Sequence, residues 1–200
     1  MNRRKLLGCS ASTVAIAVFS FHLPAAAANS PNDDVRRWLA DLEPDRMWSI
    51  YRRYNLLIVG QRDDALGNTI AQAIVDVLVR FLPDSRAKFA RAVDTRRVGV
   101  LIGTEQQDVA IMSTESAEAL FLGMSPFDDL RDVPLRVLIS FGRHVLVCRH
   151  DFAARHAYLL AKSLAENSEM IPGAASPLGG IVPVHRGAEA FFAGLAMPDA

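Results

Sequence analysis

The sequence has few features of disulfide-rich or nucleic-acid-binding proteins. Its two cysteines are Cys9 and Cys148. Because Cys9 lies in the N-terminal segment described below, the rest of the chain holds one thiol, which cannot form an internal disulfide. Cys148 lies in an apolar run, which favours a buried small hydrophobic residue. The 22 basic residues balance the 22 acidic ones, so the clustered positive face of a nucleic-acid-binding protein is not expected.

Common enzyme and metal motifs are also missing from the sequence. It contains no Gly-x-Ser-x-Gly elbow, and the glycines at 99 and 103 are not followed by the Lys-Ser/Thr of a phosphate loop. Cys148 and His150 fall on one face of a predicted strand, but a zinc site needs three or four ligands. We therefore predict no enzyme, no metal site and no cofactor. His185 follows an apolar segment and is interpreted as a hydrogen-bonded structural histidine.

The N-terminus has the three parts of a bacterial export signal. Basic residues 3–5 precede an uncharged stretch at 6–23 and an alanine run at 25–28. This predicts a signal peptide over 1–28 and a periplasmic protein. An uncleaved anchor is the alternative, because a transmembrane helix needs about 17–25 residues. Cys9 lies at the start of the uncharged stretch, whereas a lipoprotein cysteine follows it, so lipidation is not expected.

The route of export is also suggested by these residues. Arg3 and Arg4 directly before Lys5-Leu6-Leu7 resemble a twin-arginine signal, whose cargo often crosses the membrane already folded. Two arginines also suit the positive segment of an ordinary secretory signal. Beyond this export signal, we expect no contact with a membrane.

The remaining sequence divides into an arm and one α/β domain. Half of the chain is hydrophobic, which is enough for a packed core. Residues 29–54 predict a helical arm broken near Pro44, with Met47, Ile50 and Tyr51 on one face of its second half. Over 55–200, short apolar runs alternate with amphipathic segments, which predicts a mainly parallel sheet flanked by helices. The predicted strands are 56–59, 89–93, 109–112, 135–139 and 144–149, the last two antiparallel; the helices are 69–82, 95–106, 116–122, 153–165 and 188–195.

Three predicted loops follow strands and precede helices. Ligands of open α/β sheets bind beyond the carboxyl ends of the strands, where free helix N–H groups favour anions. The candidate ligand-binding residues are Gln61, Thr95, Arg96, Ser113 and Thr114. The alternative is that these hydroxyls only cap helices, Thr95 among them.

Three stretches resemble the TAXI family of periplasmic solute-binding proteins, which serve TRAP transporters. The first is the strand, loop and helix over 56–82, and the second runs from 92–95 through 108–127. The most specific is the final helix over 158–167 followed by Pro183-Val184-His185-Arg186-Gly187-Ala188 and Phe191-Phe192. The resemblance covers about residues 55–195 and implies a type 2 periplasmic-binding fold.

The chain also departs from the family pattern. Family members insert a second lobe before the final helix, but only a few residues separate Phe152 from Tyr158. Residues 61–67 replace the usual glycine- and tyrosine-rich loop, Arg96-Arg97-Val98 replaces a Gly-Ser pair, and Arg186 stands where proline is usual. We therefore predict a single lobe.

Two functions are compatible with this sequence. The first is a solute-binding-like protein that binds a small organic anion weakly on its open face, with a transporter membrane subunit as partner. The alternative is a non-transport accessory or interaction module for a periplasmic enzyme or sensor.

Overall fold

A computed structural model describes residues 55–130, 133–173, 175–176 and 180–199. The predicted signal peptide and the predicted helical arm lie outside these residues. None of the described helices combines the length and the apolar character needed to cross a membrane.

The described chain is an α/β domain with five helices and a mixed sheet. Its main strands are five to seven residues long, and a two-residue strand extends the sheet. The strands are β1 Leu57–Gln61, β2 Lys88–Ala92, β3 Val109–Ser113, β4 Leu135–Phe141, β5 His144–Arg149 and β6 Ala175–Ser176. The helices are α1 Ala65–Phe81, α2 Thr95–Gly103, α3 Thr114–Leu122, α4 Ala154–Glu166 and α5 Arg186–Phe192.

The sheet has the strand order β2-β1-β3-β5-β4-β6. β1 pairs in parallel with β2 and β3, whereas β5 runs antiparallel to both of its neighbours. The predicted antiparallel pair of β4 and β5 is thus confirmed, but a mainly parallel sheet is wrong for the sheet as a whole. The cause is the tight turn at Gly142, whose positive φ of 63° lets the chain reverse at once. β5 then enters the sheet between β3 and β4.

Helices cover both faces of the sheet. One apolar cluster includes Ile74 of α1, Leu160 of α4 and Ala188 of α5. A second cluster, on the other face, includes Val100 of α2 and Leu120 of α3. The strands between them carry almost unbroken apolar runs, such as the fully buried β5, as expected for strands covered on both faces.

Strand direction defines two edges of this sheet. β1, β2, β3 and β4 end at the carboxyl edge, where α1, α2 and α3 begin. β5 runs the other way and ends at the amino edge, from which α4 starts. Each candidate site described below belongs to one of these edges.

Candidate functional site

The structure brings the five predicted ligand-binding residues to the carboxyl edge. Gln61 ends β1 and Ser113 ends β3. Thr95 and Arg96 open α2, and Thr114 opens α3. The predicted convergence of three loops at this edge is therefore correct, although what these side chains contact was not predicted.

The helix ends at the carboxyl edge are capped by the chain itself. Asp64 Oδ1 accepts from the Gly67 amide at 2.8 Å, and Asp94 Oδ1 accepts from the Arg97 amide at 2.7 Å. Ser113 Oγ accepts from the Ser116 amide at 3.1 Å. The prediction of Thr95 as a cap is wrong, because Thr95 is already the first residue of α2 and the preceding Asp94, with extended backbone, is the N-cap residue. Two carboxylates at these helix ends oppose an incoming anion.

Three of the predicted residues, Arg96, Ser113 and Thr114, are engaged within the chain. The Arg96 guanidinium donates to the Asp129 carboxylate, so its charge is compensated. Thr114 Oγ1 donates to the Arg143 carbonyl at 3.2 Å, and Ser113 Oγ donates to Ser116 Oγ at 2.9 Å. These contacts tie α2 and α3 to neighbouring segments and leave Gln61 and Thr95 as the two predicted residues whose side chains have no hydrogen bond among the described residues.

A histidine-carboxylate pair joins α1 to the hairpin of β4 and β5. His144 Nε2 lies 2.7 Å from Asp64 Oδ2, and the two side chains are 8% and 25% exposed. His144 Nδ1 is buried and has no hydrogen-bond partner among the described residues. Ser113 lies opposite His144 in the sheet, but its hydroxyl donates to Ser116. The serine is therefore not activated by the histidine in the manner of a Ser-His-Asp triad.

A buried arginine organises the amino edge. Arg149 ends β5 and donates to both carboxylate oxygens of Asp151, at 3.0 and 2.9 Å, and to Glu105 at 2.9 Å. The hydrogen bonds from Arg149 hold the pKa of Asp151 below its usual value. The two carboxylates compensate the charge of the Arg149 guanidinium, which is almost fully buried. This indicates a structural role for Arg149.

Two cavities lie at the amino edge. The larger, here called the amino-edge groove, has a volume of about 780 Å³ and lies between the segment after α1 and the start of α4. The smaller, here called the arginine cleft, has a volume of about 370 Å³. The cleft is lined by Arg136, His150, Val184, His185, Arg186 and Glu189.

His185 forms the buried floor of the arginine cleft. It is 1% exposed. Its Nδ1 accepts from the Gly187 amide at 3.2 Å, so the ring proton is on Nε2, which donates to the Phe152 carbonyl at 2.9 Å. The predicted structural histidine is thus confirmed. Burial lowers its pKa, and the nearby guanidiniums of Arg186 and Arg136 lower it further, so the ring stays neutral.

Two guanidiniums meet around this neutral floor. Arg136 comes from β4 and Arg186 from the first position of α5. Among the described residues, no carboxylate oxygen lies within 4 Å of either guanidinium. Sequence reasoning missed this pair because the two arginines are far apart in the chain. The signal available in the sequence was Arg186 itself, which stands where the resembled motif has proline.

Cys148 and His150, considered above as the start of a metal site, lie at the end of β5. Cys148 is fully buried, and burial raises the pKa of its thiol. Within the ranges that the structure describes, no three His, Cys, Asp or Glu side chains are grouped to hold a metal ion.

Comparison with known proteins adds no family to this geometry. No protein-family model matches the chain, and no curated protein matches it significantly. The TAXI resemblance stays a prediction.

Proposed function

We propose that this chain is a periplasmic solute-binding-like domain that binds a small organic anion in the arginine cleft. The observation that carries the proposal is the pair of guanidiniums, Arg136 and Arg186, that line one cavity without a described carboxylate partner. Arg136 is half-buried and Arg186 is exposed, so an anion in the cleft would supply a carboxylate partner that neither has among the described residues.

The charge and size of the cleft define the ligand class. Two guanidiniums face one carboxylate, that of Glu189, over a neutral histidine, which leaves a net charge of about +1 from groups on this wall. A guanidinium binds a carboxylate through two parallel hydrogen bonds. A volume of about 370 Å³ lies at the lower end of ligand pockets, which are about 300–1,000 Å³. A small carboxylate fits both constraints.

The affinity follows from the open geometry of the site. Hydrogen bonds to charged groups contribute about 1.5–3 kcal/mol each, and association costs several kcal/mol. Arg186 and His150 are exposed, so solvent competes for the ligand. We expect a Kd in the range of about micromolar to millimolar. A second wall, supplied by a partner, would be needed for tighter binding.

The carboxyl edge is the weaker candidate for the same ligand. Its helix ends already carry the carboxylates of Asp64 and Asp94. Its one predicted cation, Arg96, is paired with Asp129. An anion binding there would have to displace contacts within the chain. In the arginine cleft, Arg136 Nη1 donates to the Leu135 carbonyl at 2.7 Å, but neither guanidinium has a described carboxylate partner to displace.

The TAXI resemblance supports this proposal from the sequence side. Residues 184–186, which belong to the most specific part of that resemblance, line the arginine cleft. The mixed sheet with helices on both faces is compatible with one lobe of a type 2 periplasmic-binding fold. The N-terminal sequence supports export to the periplasm, where a TRAP membrane subunit is the expected partner of a TAXI protein.

An interaction module remains the second candidate, and one observation favours it. The large apolar side chains of Leu66 and Val93, both at the carboxyl edge, are 53% and 60% exposed. Beside helix ends that are already capped, exposed apolar side chains suit contact with a protein better than contact with a small anion. A periplasmic enzyme or sensor is the class of partner that this alternative implies.

Titration calorimetry with acetate, succinate and inorganic phosphate tests the proposal. We expect Arg136→Gln and Arg186→Gln each to weaken binding about 10-fold or more, because each removes a charge-assisted hydrogen bond. Glu189→Gln should strengthen binding, because it removes the opposing charge.

The matched control is Arg96→Gln, which removes a paired guanidinium at the other edge. It should change the affinity by less than about 2-fold, since the contact between Arg96 and Asp129 is not part of the cleft. Loss of binding only in Arg96→Gln would move the site to the carboxyl edge. No response to any of the three anions would leave the interaction module.

A further inference from the structure

β2 is the outermost strand on one side of the described sheet. It stands first in the order β2-β1-β3-β5-β4-β6, so β1 is its one neighbour among the described strands. Its register with β1 is continuous, without a bulge, and no proline interrupts it. Bulges, prolines and charged side chains are the usual means of keeping such a strand from pairing with another chain. Only the charged residues Lys88 and Arg91 are present here, so their positions decide whether β2 can pair.

The backbone groups of two residues point outward from β2. The Lys88 amide donates to the Leu56 carbonyl at 2.9 Å. Because successive residues of a strand turn their amide and carbonyl groups to opposite sides, the even-numbered residues of β2 bond to β1, and Phe89 and Arg91 present theirs on the open side. Among the described residues, nothing accepts from or donates to these outward groups. They form a short template for one more strand.

A second copy of β2 fits this template in an antiparallel register centred on Ala90. A two-fold axis between the two Ala90 residues sets Phe89 of each copy opposite Arg91 of the other. These are the residues with outward groups, so each pair can exchange two backbone hydrogen bonds. A register centred on Arg91 would instead set two guanidiniums opposite each other, which is destabilising.

The side chains also favour the register centred on Ala90. Within one chain the Arg91 guanidinium lies 5.3 Å from the centroid of the Phe89 ring, and the register adds the same cation–π pairing between copies. Just beyond the strand ends, it brings Arg86 of one copy to Asp94 of the other. Both residues are exposed, and neither has an ion-pair partner among the described residues. A register centred on Phe89 would lose both kinds of contact.

We propose that a second copy of this chain pairs with β2 and joins the two sheets into one. The arginine cleft is lined by residues of β4 and α5, on the far side of the sheet, so the pairing does not depend on the proposed anion binding and leaves that cleft open. One strand from each copy makes a small contact, and small interfaces are weak and transient. We expect a dimer with a Kd of about micromolar or weaker.

Disulfide trapping in the full chain, purified as the cell processes it, tests the register. In a Cys9→Ser background the native Cys148 is buried, so an introduced cysteine is the accessible thiol. Ala90→Cys places two thiols at the axis, where facing Cα atoms are about 4.5 Å apart, within the range of disulfides. In the matched control Arg91→Cys, the two thiols are offset by about 7 Å along the strand, in addition to the gap between strands, which is beyond that range.

We expect mild oxidation to give disulfide-linked dimers from Ala90→Cys and little dimer from Arg91→Cys. Dimers in equal yield from the two variants, a higher yield from the control, or no dimer from either would overturn the proposal.

Sedimentation velocity measures the dimer without an introduced thiol. We expect the sedimentation coefficient of the unmodified protein to rise with concentration toward that of a dimer. Arg86→Glu should weaken the dimer about 10-fold, because it places like charges together at both ends of the paired strands. The control Lys162→Glu reverses an exposed charge on α4 and should change the Kd by less than about 2-fold. A monomer at every concentration up to about 1 mM, or equal effects of the two charge reversals, would contradict pairing through β2.

Discussion

Asp64 has two roles at the start of α1, and the two can be separated by substitution. One carboxylate oxygen caps the helix at Gly67, and the other contacts the buried His144 ring. Asp94 has the first role only: it caps α2 at Arg97 and is exposed. The two aspartates therefore form a matched pair, differing in the contact with a buried histidine.

We expect Asp64→Ala to lower the free energy of unfolding by about 2–4 kcal/mol. The lost cap accounts for about 1 kcal/mol, and the buried imidazole left without a partner accounts for the rest. Asp94→Ala should cost only about 1 kcal/mol. Urea denaturation of both variants measures the difference. Equal costs would show that the contact between Asp64 and His144 contributes nothing to stability.

His185 makes stability depend on pH. Its pKa in the folded state is lowered from the ordinary value of 6.5, first by burial. The unfolded chain therefore binds more protons just below pH 6.5, so this contribution is complete above pH 6.5 and is lost as the pH falls toward the folded pKa. The slope approaches about 1.4 kcal/mol per pH unit for one proton. Asp151 acts in the same direction, but only below its ordinary value of 3.8.

Urea denaturation between pH 7.5 and 5 measures the contribution of His185. In His185→Asn the amide oxygen can still accept from the helix amide, but the side chain does not titrate. We expect the decline in unfolding free energy over this range to become smaller in the variant by up to one proton. The same decline in both proteins would show that His185 does not set this pH dependence.

At the residue scale, local roles could be predicted and distant partners could not. The structural role of His185 follows from the apolar segment before it. The compensation of Arg96 depends on Asp129, 33 residues later in the chain, and no local pattern reports such a contact. The arginine cleft was missed for the same reason, since β4 and α5 meet only in the folded domain.

At the scale of elements, α5 packs on the start of α4 through a glycine. A Cβ at Gly187 would lie 2.0 Å from the Ala154 carbonyl oxygen and 2.9 Å from Ala157 Cβ. Backbone atoms cannot yield locally to such an overlap. The close approach therefore requires glycine, and it places Arg186 and Glu189 at the wall of the cleft.

We expect Gly187→Ala to lower the free energy of unfolding by about 3 kcal/mol, at the upper end of the cost of overpacking, because α5 has to move away from α4. The matched control is Gly103→Ala at the end of α2, where the nearest atom to a new Cβ is Val133 Cγ2 at 3.3 Å. There, a gain in helix propensity of about 1 kcal/mol offsets the tighter contact. Thermal denaturation of the two variants checks the order, and a stable Gly187→Ala protein would contradict the close packing.

Most elements could be predicted from sequence periodicity, and the errors fall at their ends. The helix predicted from residue 69 begins at Ala65, because Asp64 caps it in a segment whose polarity suggested a loop. β6 lies in segment 172–180, which is rich in Pro, Gly, Ala and Ser, a composition typical of a loop, and it pairs with Ser140 and Phe141. β6 forms by pairing with β4, and a sequence of two residues is too short to predict a strand.

At the scale of the whole molecule, the sequence predicted an α/β domain, which the structure shows, and it placed the ligand at the carboxyl edge, whereas the proposed arginine cleft lies at the amino edge. The prediction used the rule that ligands bind beyond the carboxyl ends of parallel strands. Here β5 runs against its neighbours, and the two arginines without a described carboxylate partner, Arg136 and Arg186, lie at the amino edge. The rule depends on helix ends being free, and in this chain Asp64, Asp94 and Ser113 occupy them.

The most direct test of this account is an NMR titration of the ¹⁵N-labelled protein with succinate, followed through the backbone amide shifts. We predict saturable shifts at Arg136, His150 and residues 184–189, with little change at 61–64, 94–97 and 113–116. Shifts confined to those three carboxyl-edge loops, or no saturable shift at any residue, would contradict the assignment of the anion to the arginine cleft.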